Sequence, residues 1–473
     1  MTASPMRWVK AAGDWAARLV LPYAVVVAAR HLDCVYILQL ERYKPDRYAR
    51  WLGLHRGSLL PGLEIALQIL TVALAAVLGE AGIHWLAAYA VWLGSGHVIL
   101  ARRRSLQVSQ RLQYTPRTIR VLLAAFGISA LLAGGVLALA ILLPASPGAG
   151  LSARWVVGGI GGLALAGILT PVTVWIAAAA VSPVERSIAR TFLVEAERRM
   201  RAYPGRVIGI TGSYGKTTTK FITASLLASR YRVLKTPDGV NTTMGITRVI
   251  REDLRDEHEL FVVEVAAYGP GEIREICDIL RPRLGILTAV GVQHLERFGT
   301  EAAIAEAKYE LLAALPAGGT AVVNADDPVC LTLAERSRAD GKRVVLYGMG
   351  ETPRDLAVRA IEVQSSARGT SFRVVTGDGE AAAFQTRLLG RWNLSNILAA
   401  VAAAREFGVP LPTMREAVAA LAPAPKRLEV REEGGIVKIL DVANANPRGA
   451  QMALEVLAQC QGGSRILITP GMV

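Results

Sequence analysis

The sequence predicts an α-helical transmembrane domain of about four spans, then an α/β domain built on a phosphate-binding loop, then the start of a second α/β unit. Three observations point there. The 473 residues are 52% hydrophobic and only 19% charged, with a mean hydropathy of +0.35; soluble globular chains carry about 25% charged residues. The charge is also unevenly spread. Residues 1–206 hold 22 Lys and Arg against 9 Asp and Glu, a net of +13, and the remainder carries a net of +1. Finally, a strand, a glycine turn, Lys-Thr and a helical pattern follow one another from Arg206.

An overall charge of +14 would suit a nucleic-acid groove, but the basic residues here flank apolar runs. That is the distribution the positive-inside rule produces, and no nucleic-acid partner is expected. A crossing takes about 20 mostly apolar residues. Four runs qualify, near residues 61–79, 81–101, 121–143 and 155–181; Glu64 is the one charge among them. A central charge costs about 2.5–3.5 kcal/mol on the insertion scale, so charge-free runs of this length are unexpected in a soluble core.

Arg102, Arg103, Arg104, Arg111, Arg117 and Arg120 separate the second and third runs, and Arg42, Lys44, Arg47, Arg50 and Arg56 precede the first. Both groups belong on the cytoplasmic side. With four crossings, everything after Val184 is cytoplasmic too. The expected location is thus a bacterial cytoplasmic membrane, multi-pass, in contact with membrane lipid. Residues 19–29 are apolar but too short to span comfortably, which leaves an interfacial or re-entrant helix or a fifth crossing. Gly158 and Gly162 form a small-xxx-small pair suited to close helix packing. His97 is the one ionisable residue deep in a span, too little for a permeation path. Residues 185–205 read as a basic cytoplasmic connector. Cys34, Cys277, Cys330 and Cys460 are too far apart for a disulfide framework or zinc cluster.

The strongest local signal follows. Residues 206–211 (RVIGIT) form a buried-type strand that runs into Gly212-Ser213-Tyr214-Gly215-Lys216-Thr217-Thr218 and a helix through Leu227. Backbone N–H groups and the helix N-terminus would face phosphates, Lys216 would reach the outer ones, and the Thr217 hydroxyl can hold Mg²⁺. Ile210 stands where the strict Walker spacing wants glycine. A second apolar strand, residues 260–264, ends in Glu264, and strand C-termini line the ligand crevice of a parallel sheet. A third, 285–290, leads to Gln293-His294-Leu295-Glu296. Lys308 and Glu310 lie on a predicted helix, where solvated charges are the default. A strand at 321–324 ends in Asp326-Asp327.

These pieces occur in the order seen in Mur ligases, which the chain resembles over about residues 205–473. The resemblance extends to Arg297-Phe298-Gly299, Ala307-Lys308-Tyr309-Glu310, Gly390-Arg391-Trp392-Asn393-Leu394-Ser395-Asn396 and Asp441-Val442-Ala443-Asn444-Ala445-Asn446-Pro447. The H-L-E-x-F-G and N-A-N-P pieces are most similar to the MurF type. The resemblance implies an ATP-dependent amide ligase that activates a carboxylate as an acyl phosphate, with D-alanyl-D-alanine or a similar amine as acceptor. The carboxylate would come from a UDP- or lipid-linked cell-wall peptide precursor. The implied cofactors are ATP and Mg²⁺, two ions, with other cell-wall synthesis enzymes as further partners.

By that resemblance Lys216, Lys308 and His294 carry the chemistry. Gly212, Ser213, Gly215, Lys216, Thr217, Thr218, Asn393, Asn396, Arg427 and Asp441 bind nucleotide. Thr217, Glu264, His294 and a carbamylated Lys308 hold metal. Three positions depart from the family pattern: Trp392 stands for a usual His, Val265-Ala266 for a Met-Gly, and Ala443 for a tyrosine common in the MurF type. The implied organisation is a membrane domain (1–184), the connector (185–205), the central ATP-binding domain (206–424), and a Rossmann-like C-terminal domain begun at 425–473. That last part reads as truncated, offering a strand at 436–442, a helix at 449–460 and a strand at 466–469. The alternatives are a poly-γ-glutamate or capsule-type Mur-like ligase, or a nucleotide-binding membrane protein inactive as a ligase through truncation.

Overall fold

The computed structural model describes residues 25–55, 66, 69–70, 73, 111–142, 151–267, 269–292, 295–350, 355–366, 369–422, 428–441, 447–459 and 463–469. The chain divides into two compact units, Met1–Ile188 and Ala189–Val473.

In the first unit, helices over residues 25–40, Pro45–Leu54, Pro116–Leu142 and Leu151–Ile168 pack with the beginning of a helix at Thr170–Ala202. Cys34, Val35, Leu38, Tyr48, Val121, Ala125, Val174 and Ala177 form a core shared by all but Leu151–Ile168, whose Ala164 packs with Val27. Gly158 and Gly162 do what their spacing predicts. A Cβ on Gly158 would lie 2.6 Å from Ala140 Cβ, and one on Gly162 would lie 2.5 Å from the Ala133 carbonyl oxygen, so only glycine allows this approach. A polar chain crosses three helices: His31 Nε2 lies 3.0 Å from Ser129 Oγ, which donates to Thr173 Oγ1 at 3.3 Å.

The expectation of about four spans needs correction. Of the runs at 61–79 and 81–101, only residues 66, 69–70 and 73 are among the described residues. Among the described residues, two helices are long and apolar enough to cross a membrane, Pro116–Leu142 and Thr170–Ala202. The run at 155–181 is not one helix: it breaks at Leu169, between Leu151–Ile168 and Thr170–Ala202. The cause is Pro171, which has no N–H to donate and crowds the carbonyl four residues earlier. Residues 185–202 continue the second helix, which runs through Pro183 to Ala202. Of the 19–29 run, the described part from Val25 opens the helix over residues 25–40.

The second unit is a nine-stranded sheet in the order β2-β3-β1-β4-β5-β6-β7-β8-β9. The strands are β1 Arg206–Thr211, β2 Val233–Lys235, β3 Leu260–Glu264, β4 Leu284–Leu287, β5 Thr320–Asn324, β6 Arg343–Gly348, β7 Val358–Ser366, β8 Gly369–Thr376 and β9 Ala381–Thr386. Pairing is parallel through β7 and antiparallel from β7 to β9. β1, β3 and β4 are wholly apolar at their centres because helices cover both faces. One face packs on Lys216–Leu227, Arg391–Glu406 and Leu411–Ala419. The other packs on Thr243–Glu252, Glu272–Leu280, Glu301–Ala313 and Pro328–Ala339, joined by Ala196 and Met200.

The C-terminal part also differs from expectation. β10 (Glu429–Glu433) and β11 (Ile436–Leu440) make an antiparallel hairpin, followed by a helix at Pro447–Gln459. Residues 466–469 are not a strand; Ile466, Leu467 and Ile468 stand exposed. A strand needs a neighbour for its N–H and C=O groups, and none of the described residues supplies one. Leu428 and Val456 pack on Leu389, anchoring hairpin and helix beside the start of Arg391–Glu406.

Candidate functional site

The connections from β1 and β4 diverge, since β1 lies between β3 and β4. The carboxyl ends of these strands therefore open on a topological switch point, where ligands of such sheets bind. Register brings Ile210 opposite Glu264 and Thr211 opposite Leu287.

From Thr211 the chain turns through Gly212 (φ 149°) and Gly215 (φ 80°) into the helix that starts at Lys216. Both glycines have backbone angles that other residues rarely adopt, and neither has room for a side chain. A Cβ on Gly212 would overlap Thr288 Oγ1; one on Gly215 would overlap Asn396 Oδ1. The loop is held from outside. The Ser213 N–H donates to the Ala289 carbonyl at 2.7 Å, and Ser213 Oγ donates to the Gly291 carbonyl at 2.9 Å. The Thr288 hydroxyl donates to the Tyr214 carbonyl at 2.5 Å, and Tyr214 Oη to Val292 at 2.8 Å. Asn324 holds the Thr288 carbonyl at 2.8 Å, and Asp327 accepts from Val290 N at 3.0 Å while capping Pro328–Ala339. Asp326 accepts from the Met349 and Gly350 amides.

Lys216 Nζ donates to the Gly212 carbonyl at 2.7 Å and the Ser213 carbonyl at 3.2 Å. Thr217 is buried in the first helical turn, with Thr218 half-exposed beside it. Glu264, 2% exposed, closes the other side. Its Oε1 accepts from Asn241 Nδ2 at 2.9 Å and its Oε2 from Lys220 Nζ at 3.3 Å. Burial alone would push this carboxyl up. The Asn241 bond, Lys220, Lys216 and the Thr217 hydroxyl together outweigh that and hold it below the usual carboxylate range.

Lys308 and Glu310 are not the solvated charges a surface helix would give. Lys308 is 3% exposed; burial first, and then the Lys216 charge, pull its ammonium down to about 7. Glu310 caps Glu272–Leu280, accepting from Gly271 N at 2.6 Å and Arg274 N at 2.9 Å. Lys216 thus lies within electrostatic reach of both Glu264 and Lys308.

The remaining expected residues divide. Asn396 is buried against Gly215 and accepts from Thr219 Oγ1 at 3.1 Å, and Asn393 Nδ2 donates back to the Leu389 carbonyl at 2.8 Å. Asp441 accepts from Leu428 N at 3.3 Å. His294 and Arg427 lie outside the described residues. Lys220 and Asn241 were missed in the sequence. A usable signal existed for Lys220, a lysine on the inward face of a helix otherwise lined by Ile222, Thr223 and Leu226. A buried lysine requires a partner.

Comparison with known proteins agrees with this geometry. The family model for the Mur ligase middle domain matches residues 210–404. The chain is 30% identical over 270 residues to the UDP-N-acetylmuramoyl-tripeptide–D-alanyl-D-alanine ligase of Bacillus subtilis, covering 57% of this chain and 56% of that one. It is 31% identical to the Escherichia coli ligase of the same name, covering 57% and 58%. It spans a little over half the length of these curated relatives. Among solved structures, MurF from Acinetobacter baumannii superposes with a TM-score of 0.54 at 28% identity, covering 58% of this chain and 59% of that one. The Thermotoga maritima MurF ligase in complex with ADP gives 0.52 at 28% identity, covering 58% and 62%. Residues 210–404 thus match the Mur ligase middle domain, and over this part the chain is similar to MurF ligases.

Proposed function

We propose that the chain is an ATP-dependent carbon–nitrogen ligase that joins D-alanyl-D-alanine to a UDP-linked cell-wall peptide. The observation that carries this reading is the cradle itself: two glycines with no room for a Cβ, Lys216 at the helix N-terminus, and the buried carboxylate of Glu264 at the adjoining strand end.

The residues present fit ATP and magnesium. Thr217 and Glu264 offer hard oxygen donors, and magnesium is commonly held by one or two carboxylates together with substrate phosphates. When bound, ATP and its magnesium ions would supply the phosphoryl group and neutralise its charge during activation of a carboxylate as an acyl phosphate.

The chain's own part is electrostatic and positional. Backbone N–H groups of the glycine turn and the first turn of the helix would face phosphate oxygens. Lys216 would exchange its loop carbonyls for the outer phosphates. Thr217 and Glu264 would hold the first ion, with His294 and Lys308 at a second. An ammonium buried beside Lys216 is an expensive neighbour for a cation; carbamylation turns Lys308 into an anion and removes that cost. Asn393 and Asn396 would hold the adenine, and Arg427 and Asp441 would contact the nucleotide on closure of the last domain.

The apolar helices of the first unit support a multi-pass anchor in the cytoplasmic membrane with the ligase unit in the cytoplasm. Anchoring raises effective concentration if the carboxylate is lipid-linked or is handed to a membrane enzyme.

The test uses the whole chain in detergent with Mg-ATP and UDP-MurNAc-tripeptide, comparing D-Ala-D-Ala with L-Glu by phosphate release and product mass. Amide product with D-Ala-D-Ala is the expected result. Product with L-Glu alone replaces this reading with the capsule-type ligase, and phosphate release without product removes the acceptor assignment.

A further inference from the structure

Lys220 has no part in the reaction proposed above, yet it is fully buried, and a lysine is almost never fully buried without a partner. It lies four residues after Lys216, on the same helix face and one turn deeper. Its ammonium donates to Glu264 Oε2 at 3.3 Å and to the Pro237 carbonyl at 2.9 Å. The second bond matters because Pro237 belongs to the segment that carries the carboxylate's other partner. Thr236 Oγ1 accepts from the Glu264 amide at 3.3 Å, Asn241 Nδ2 donates to Glu264 Oε1 at 2.9 Å, and the Asn241 carbonyl accepts from Ala266 N at 3.1 Å. One cation therefore ties together the helix of the phosphate loop, the segment from Thr236 to Asn241, and the end of β3.

A carboxylate with 2% exposure loses most of its hydration, and an unpaired buried charge is costly enough that such groups neutralise or turn away. Glu264 must nevertheless be held in a fixed direction to receive a divalent cation. We infer that Lys220 is the positioning residue that holds Glu264 oriented for the metal, acting through the carboxylate and through the segment at Pro237. The inference rests on the reading of Glu264 as a metal ligand. Residues that orient a ligand in this way typically change metal affinity by about 10–100-fold when removed.

The experiment measures Mn²⁺ binding to the full chain in detergent with ADP, by electron paramagnetic resonance titration. It compares the natural chain with Lys220→Met, Glu264→Gln and the double variant, with thermal unfolding followed in each. Lys220→Met is expected to weaken Mn²⁺ about 10–100-fold and the double variant to be no weaker than Glu264→Gln, because both act through one carboxylate. Lys220→Gln keeps a donor for Pro237 without the charge and carries the same expectation should the methionine variant not fold. Unchanged Mn²⁺ affinity in a folded Lys220 variant, with Glu264→Gln weakened, overturns the inference and leaves the metal reading standing. Additive losses in the double variant overturn it as well. An unaffected Glu264→Gln overturns the metal reading, and this inference with it.

Discussion

Lys216 folds onto its own loop, donating to Gly212 and Ser213, so phosphates that replace those carbonyls gain a charge-assisted partner. Lys216→Ala should lower ATP turnover at least about 100-fold, the scale set by removing one preorganised charge-stabilising donor; single-turnover phosphate release measures it. Lys308 tests a different chemistry. Lys308→Ala should lose activity and regain part of it with added acetate or formate, if a carbamate supplies the missing anion. Absence of rescue would count against carbamylation and leave the ligase reading in place. At this scale the motif residues were legible, because a phosphate loop is a local object whose spacing carries its geometry. Lys220 was not. Its partner stands 44 residues away, and only the packing of helix on sheet brings the two together. The burial of Lys308 was equally hidden, since its helix lies between two others that the local sequence does not reveal.

Short elements were legible where their own residues decide them. β1 and β3 have the expected bounds, and the helix after the phosphate loop ends at Leu227 as its pattern indicates. Caps act at the same scale. Asp327 accepts from Val329 and Cys330 at the start of its helix and from Val290 in the neighbouring loop. Asp327→Ala should cost about 1–2 kcal/mol, the upper range for a lost cap, and should loosen the loop that holds Ser213. Chemical denaturation reads the first effect and ADP affinity the second. Gly162→Leu should separate the helices at Pro116–Leu142 and Leu151–Ile168, because its first side-chain atom would already meet the Ala133 carbonyl. Loss of the thermal transition of the first unit in detergent is the expected observation. Elements that depend on a partner were misread: residues 466–469 have strand residues but, among the described residues, no strand to pair with, and the run at 155–181 hid a break that hydropathy does not register.

For the whole molecule, anchoring predicts that the chain sediments with membranes, and that in inverted vesicles added protease reaches residues after Ala189. Protection of that unit would reverse the orientation. A version cut before Ser182 that serves soluble UDP-linked substrate equally well in cells would remove any need for the anchor. Contacts around Tyr43 belong at this scale too. In the first unit Gln39 Oε1 accepts from Gln113 N at 2.9 Å, and Arg117 lies over the Tyr43 ring at 4.7 Å. Neither relation follows from segments some 75 residues apart.

By itself, the sequence determined the charge asymmetry, the apolar runs, the phosphate loop and the ordered motifs of a Mur ligase middle domain, because each is written in neighbouring residues and simple periodicity. The tertiary structure alone decided what depends on distant partners. It determined which carboxylate faces which lysine, that Asn396 fills the space a side chain at Gly215 would need, and that Glu310 caps a helix rather than meeting solvent. Burial makes these pairings necessary: a charge or polar group removed from water must find its partner in the fold, and the chain order does not say which partner the fold will bring.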